Sequence, residues 1–349
     1  MRLERRESVP AWLNVGAPVI AVLLSLVLCS LLIVWAGAPV LASYAALVKG
    51  AFGSVFAISE TLTRAAPLIF TGLAAAVAFR AKLWNIGGEG QLYAGALAAT
   101  YFGTGLIALP AFLMIPLLFL VGAVAGGLLL LVPVLLKVKL KVDEVVTTLL
   151  LNFVVLLFVN YLVFGPWKDP MAMGWPQAAP IVDEGVLGLL VAKTRLHAGL
   201  LWALAAALVV WAVIGLSKWG FEIRAVGANL AAARFAGVPI GATVLRTAIF
   251  SGGLAGMAGV CELAGLKGYL TLDLSPGFGY TGIAVAMLAG LHPLGVVAAA
   301  IFIAAVYNGA DAMSRAMQIS NYLADVLTAT ALLLVLASVL FVRFRVRRG

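Results

Sequence analysis

Apolar residues run along this chain in blocks longer than a soluble helix or strand requires, and most polar residues fall between the blocks. A crossing takes about 20 mostly apolar residues to span roughly 30 Å of hydrocarbon. The stretches 19–38, 112–136, 145–164, 198–216, 247–266 and 322–342 reach that length. Those at 91–109 and 294–310 are slightly shorter but pass, whereas 65–79 and 280–291 are too short for a straight crossing. The pattern predicts an all-α polytopic membrane protein of about ten transmembrane helices, some broken or re-entrant, forming a single transmembrane domain over residues 1–349.

Composition agrees: 64% of residues are hydrophobic and 11% charged, whereas soluble domains run near half apolar and about a quarter charged. The net charge of +9 would suggest nucleic acid in a soluble protein. Its distribution points instead to the positive-inside bias. With ten crossings and both termini cytoplasmic, 16 of the 23 Lys and Arg residues fall on the inner side, among them Arg6, Arg80, Lys82, Lys137, Arg224, Arg234, Arg246 and Arg348. No nucleic-acid partner is needed. Arginines, an apolar run and Ala36-Gly37-Ala38 imitate a signal peptide, but Pro39 follows directly and further spans come after, so an uncleaved first helix is expected. Cys29 and Cys261 both fall inside expected spans and read as packed small residues.

A faint echo divides the chain. Ile69-Phe70-Thr71-Gly72-Leu73-Ala74 returns as Ile249-Phe250-Ser251-Gly252-Gly253-Leu254-Ala255. In the ten-span arrangement the first copy enters from outside and the second from inside, as in an inverted repeat over about 60–166 and 245–342 with the sixth span as connector. Each half also holds a short, glycine-interrupted segment, the usual pointer to a pathway at a repeat interface. The outer loop 165–197 is rich in proline, and Trp167 and Trp175 are expected at headgroup level.

Polar groups at membrane depth are costly unless they face partners or a wet cavity. The sites that stand out are Asn85, Glu89 and Gln91; Asn152 and Asn160; Glu262; Asn308 with Asp311; and Asp325. On a continuous helix Asn85 and Glu89 would share a face, as would Asn308 and Asp311. The glycines around Glu89 weaken a helix and release backbone groups that lipid cannot satisfy. The stretch 83–100 is therefore read as a broken helix lining a translocation pathway, with a cytoplasmic interfacial turn as the alternative. Candidate pathway residues are Asn85, Glu89, Gln91, Asn152, Glu262, Tyr280 and Asn308, although Asn152 serves equally as interhelical hydrogen-bond glue. No catalytic grouping emerges, His197 and His292 lack companions at metal-ligand spacing, and the absence of any Gly-Lys dipeptide excludes a Walker A loop. The chain itself is expected to bind no cofactor, with any ATP used by a partner.

Between spans six and seven, Asn229 is a good N-cap, Gly237 suits the left-handed closing position and Pro239 prevents continuation. The signals predict a helix of about seven residues inside the inner loop 217–246. So short a helix needs a surface to rest on, and one carrying Arg234 and Phe235 looks like a knob for a partner's groove.

Four stretches carry a family resemblance: "FRAKLWNIGGEGQLYAGA" (79–96), "VDEVVTTLLLNFVVLLFVNYLVFGP" (142–166), "EIRAVGANLAAARFAGV" (222–238) and "GYTGIAVAMLAG" (279–290). The chain resembles the membrane permease subunits of ATP-binding-cassette (ABC) importers for ribose-type sugars and nucleosides, most of all the longer permease of guanosine and nucleoside uptake systems. The resemblance implies two permeases, here a distinct pair, with cytoplasmic ATPases and an external solute-binding protein in a bacterial plasma membrane. It makes Gly227, Asn229, Ala233, Arg234, Phe235 and Gly237 the ATPase-coupling loop, and places 85–91 in a discontinuous segment beside the pathway. The ribose branch carries a different acidic, glycine-containing motif there, which points toward a nucleoside or a related polar solute. An ion-coupled secondary transporter is the competing reading, with Glu89 or Glu262 as the ion or proton site.

Overall fold

The computed structural model describes residues 2–5 and 11–347. Arg6 and Arg348, two of the cations placed on the inner side, lie outside the described residues. Thirteen α-helices carry the described chain, and seven of them are long and apolar enough to cross a membrane. Those seven, a bent pair and the shorter apolar helix Phe278–Leu288 are compatible with about ten spans.

The bend comes first. Helix α1 (Ala11–Trp35) stops where Gly37 takes φ +77°, with Gly37 N–H donating to Val34 and Ala38 N–H to Ile33 at 2.9 and 3.1 Å. Pro39 then starts α2 (Val40–Phe52), and the two helices are bent by 116°. The expected span 19–38 is thus cut at its Gly-Pro end, and α2 was not legible as a separate element. A second correction concerns 65–79, which lies inside α3 (Val55–Arg80), long enough to cross. The apolar reading stopped early at Glu60, Thr61, Thr63 and Arg64. Helix α3 continues through them because Thr61 and Thr63 are buried and Thr61 Oγ1 donates to Ala51 O at 3.0 Å.

The chain forms two compact units, Met1–Thr61 with Ile301–Gly349, and Leu62–Ala300. In the first, α1 and α2 accompany the second half of α12 (Pro293–Met317) and α13 (Asn321–Arg343). Cys29, Ile33, Met313 and Leu327 form its core. Strands β1 (Arg2–Arg5) and β2 (Phe344–Arg347) pair antiparallel with Arg2 opposite Arg347, a ribbon too small to alter the all-α class.

The larger unit is built around two helices that see little of the membrane. In α3 89% of the apolar window is buried and in α10 (Ile240–Glu262) 72%, against about a third or less in α5 (Ala111–Leu140), α6 (Glu144–Phe164) and α7 (Gly199–Leu216). Ala78, Phe79 and Leu83 cluster with Ala248, Val244 and Leu245, and Ser251 Oγ donates to Ala74 O at 2.7 Å. The paired positions run in opposite senses, so α3 and α10 are antiparallel. Glycines set how closely the remaining helices approach. A Cβ on Gly256 would lie 2.1 Å from Gly122 O on α5, and one on Gly95 of α4 (Gly88–Gly103) 2.1 Å from Gly256 O. Small residues give membrane helices the close backbone packing that lipid cannot drive by the hydrophobic effect.

The expected span 91–109 ends at Gly103, where loop 165–197 is fastened on. Val182 N–H donates to Gly103 O (2.8 Å), Ile181 to Gly268 O (2.9 Å) and Leu187 to Ala264 O (2.8 Å). That loop lies at one end of α7; α8 (Lys218–Ala228) and α9 (Leu230–Phe235) lie at the other.

Candidate functional site

Between α3 and α4 the chain is unwound from 81 to 87, turned by Lys82 at φ +53°. Unwound backbone at membrane depth needs protein partners, and α6 supplies them from one face. Glu144, Thr148 and Asn152 recur every four residues, which stacks them along the helix. Glu144 Oε1 accepts from Trp84 N–H at 3.3 Å, Thr148 Oγ1 from Ile86 N–H at 3.2 Å, and Asn152 Oδ1 from Gly90 N–H at 2.8 Å. Asn152 Nδ2 donates back to Ile86 O at 3.0 Å, and Lys137 pairs with Glu144. Asn85 and Gln91 pair amide to amide at 2.9 and 2.8 Å, while Gly87 N–H donates to Asn85 Oδ1 at 2.9 Å. The idea that Asn85 and Glu89 share a helical face is corrected here. Asn85 precedes the helix, which begins only at Gly88, because its amide is engaged by Gln91 and the backbone of Gly87.

Glu89 points the other way. Helix α10 ends in a π-helical turn (Leu263–Lys267), and 268–277 leads back to a second short helix, α11 (Phe278–Leu288). Glu89 Oε2 accepts from Gly279 N–H at 2.7 Å, and Ser275 Oγ accepts from Gly277 and Phe278 N–H at 3.2 and 2.9 Å to cap the same helix start. Glu89 is 4% exposed. Helix α4 leads from this point toward loop 165–197. Helix α11 leads toward Arg80, whose Nε donates to Leu291 O at 2.9 Å. Two half-helices therefore start at the same place and run apart. A Cβ on Gly279 would fall 2.1 Å from Glu89 N, so their first turns touch backbone to backbone. Each N-terminus carries roughly half a positive charge and unpaired N–H groups. The Glu89 carboxylate, in the first turn of α4, satisfies the Gly279 N–H at the start of α11. Tyr93 OH donates to Leu272 O at 2.6 Å and accepts from Ser275 N–H at 3.2 Å, holding the returning segment against α4. The half-exposed Tyr280 bonds through its OH to Asn152 Nδ2 at 3.0 Å.

The remaining expected residues lie apart from this cluster. Glu262 is buried at the end of α10, within electrostatic reach of Lys267 and Arg64. Asn308, in the smaller unit, donates toward Gly50 O (3.0 Å), Ala57 O (3.2 Å) and Thr61 Oγ1 (3.2 Å), tying α12 to α2 and the start of α3. Asn160 and Asp311 are half-buried and Asp325 is exposed.

Asn229 caps α9 through Oδ1, accepting from Ala231 and Ala232 N–H at 2.9 and 3.1 Å; the helix has six residues and closes on Gly237 at φ +77°. Ala233 is buried, while Arg234 is exposed and Phe235 is 97% exposed. Gly227 sits where a Cβ would lie 1.7 Å from Arg80 O, so α8 is pressed onto the end of α3.

Sequence reading missed Glu144, Thr148, Ser275 and Tyr93. The four-residue spacing of Glu144, Thr148 and Asn152 was visible, but only the fold shows that it faces unwound backbone. A crevice of about 210 Å³ in the smaller unit, walled by Cys29, Leu47, Phe302 and Met313, is almost wholly apolar and unsuited to a polar solute.

Long buried antiparallel helices, broken companions and paired half-helix N-termini define a membrane transport protein. Comparison with known proteins gives the family. Residues 57–336 match the branched-chain amino acid transport system / permease component family, and the chain belongs to it. It is 34% identical to the glucose ABC transporter permease of Haloferax volcanii, over 100% of this chain and 95% of that one. It is 36% identical to the guanosine ABC transporter permease NupP of Bacillus subtilis over 92% of each. With the nucleoside ABC transporter permease NupB of Lactococcus lactis it shares 30% over 86% of this chain and 85% of that one. No solved structure matches the chain. The protein is a multi-pass permease subunit of an ABC transporter, not an enzyme, and works with an ATPase and a solute-binding protein. Membership in that family leaves the ion-coupled alternative without support.

Proposed function

We propose that this chain forms one side of the translocation pathway of an ATP-driven nucleoside importer, paired with a second, distinct permease. The observation that carries the reading is the end-to-end junction of α4 and α11 beside Glu89. Half-helix N-termini and unwound backbone near a repeat interface are the means by which transporters build polar pathways in lipid. The antiparallel pairing of α3 and α10, with Ser251 of one echo motif bonded to Ala74 of the other, supports the inverted repeat. The names of the guanosine and nucleoside relatives favour a nucleoside; the glucose relative makes a simple sugar the second reading.

In this reading both termini and loop 217–246 face the cytoplasm of a bacterium, and loop 165–197 faces outward. The ATPase grips the knob formed by Asn229, Ala233, Arg234, Phe235 and Gly237, seated through Gly227 on α3. Its closure rocks α3 and α10, and with them the junction. Asn85, Gln91, Asn152 and Tyr280 lie along the wall, while Glu262 sits at the end of α10 and Asn308 midway along α12. The chain itself holds no cofactor, and ATP is consumed by the partner.

Uptake of labelled guanosine and labelled glucose into proteoliposomes bearing the full complex tests the reading. Expected is ATP-dependent guanosine uptake that survives collapse of ion gradients. ATP-independent uptake by this subunit alone, or uptake of glucose only, overturns it at the coupling or the solute level respectively.

A further inference from the structure

We propose that the crevice of the smaller unit is a binding site for one hydrocarbon tail of a membrane lipid. The inference rests on membership in a membrane permease family, and on neither the solute carried nor the ATPase.

The crevice follows from the elbow at Gly37. Bent by 116°, α1 and α2 part from one another, and α12 and α13 do not fill the space they leave. Its walls include Leu26 and Cys29 of α1, Leu47 of α2, Phe302 and Met313 of α12 and Leu327 of α13, all within one compact unit. Protein interiors hold few voids larger than a water molecule, so a space of about 210 Å³ calls for an occupant.

The chemistry of the wall selects it. Polar groups there are already engaged by the protein itself. Tyr44 OH donates to Leu26 O, Thr328 Oγ1 to Ala324 O at 2.9 Å and Cys29 Sγ to Leu327 O at 3.7 Å; Ser25 is engaged as well. What faces the space is methyl, methylene and ring carbon. Water entering would give up hydrogen bonds, and apolar cavities of about 150 Å³ stay dry while accepting small hydrocarbons. A nucleoside or a sugar is excluded for the same reason.

The crevice reaches the surface where the surface is itself apolar. Val48 and Phe52 line it and are more than half exposed, and Leu23, Val27 and Leu31 of α1, spaced four apart, are exposed to a similar degree. Tails of the surrounding membrane therefore lie at the mouth and enter without crossing water. Since lipid is as apolar as the wall, the hydrophobic effect does not drive entry. The gain is the dispersion contact that an empty wall forgoes. A partner helix, about 10 Å thick with its side chains, is too wide for the space, whereas one flexible tail fits it.

The test uses the assembled complex in phosphatidylethanolamine nanodiscs doped with a phospholipid that carries a photoreactive diazirine on one tail. After illumination, peptide mass spectrometry is expected to find label on Met313 and Leu327, which the protein buries, as well as on the exposed Val27 and Leu31. Ala305 is a buried, small residue of the wall. Ala305→Phe is expected to cut label on Met313 and Leu327 about ten-fold, because the ring takes the contacts the tail would make, and to leave Val27 and Leu31 unchanged. Should that variant fail to assemble, the wild-type labelling pattern decides. Label confined to Val27 and Leu31, or undiminished label on Met313 in an assembled Ala305→Phe complex, overturns the proposal. A photoreactive benzoylphenylalanine put in place of Phe302 that captures the second permease rather than lipid also overturns it and gives the crevice to the subunit interface.

Discussion

Glu89, 4% exposed, shows what a single buried carboxylate can do. Left alone in the interior it would be expensive; accepting from Gly279 N–H it ties the first turn of α4 to the start of α11. A hydrogen bond to a charged group contributes about 1.5–3 kcal/mol, and the N–H left behind would go unsatisfied. Glu89→Ala is therefore expected to cut transport at least ten-fold and to raise hydrogen exchange across 275–283 in a complex that still assembles. Unchanged exchange there would show that the junction stands without the carboxylate. His197 offers a separate test. Its ring is fully buried against Gly265 and Cys261 ahead of α7, with Nδ1 accepting from Gly199 N–H at 3.2 Å and Nε2 lacking a partner among the described residues. Burial lowers its pKa to about 4 from 6.5. Between those values the unfolded chain binds the proton and the folded chain does not, so stability falls as pH drops from about 6.5 toward 4. The melting temperature of the wild type should fall more steeply over that window than that of His197→Gln, whose side chain does not titrate. Parallel curves would refute the assignment.

At the scale of elements, the fold depends on glycine at a few helix crossings rather than on bulk. Gly122, Gly126, Gly252 and Gly256 let α5 and α10 meet backbone to backbone. Gly256→Leu is expected to prevent recovery of folded protein, and Gly256→Ala to lower the melting temperature clearly. An equal melting temperature for the alanine variant would mean the helices can separate at little cost. Helix α6 shows the complementary device, a polar stripe in place of a backbone partner. The stripe was readable as spacing, but its target was not, because unwound backbone leaves no hydrophobic period to recognise. The capped knob at Asn229–Gly237 was readable almost to the residue, since capping is a local matter of one side chain and two N–H groups.

For the whole molecule, the proposed function asks how an ATPase seated on the knob would move the half-helix junction. The exposed knob is joined to the end of α3 through Gly227 and Arg80, and α3 lies against α10, so motion has a continuous packed route. Arg234→Glu is expected to reduce ATPase association and transport at least ten-fold while leaving membrane insertion intact. Pull-down of the ATPase at wild-type level would remove the knob from the coupling route.

The sequence by itself determined the class of molecule, the approximate place of most apolar segments, the breaks near Asn85 and before Tyr280, and the capped knob. All of these rest on local chemistry: hydropathy over one helix length, glycine and proline interrupting it, and a side chain reaching its own backbone. Only the tertiary structure decided what the polar residues do. Glu89 and Gly279 are 190 residues apart, and Asn152 meets Gly90 across 62. No period or propensity connects such positions; they meet because buried backbone groups, with no water to turn to, must find partners wherever the folded chain brings them.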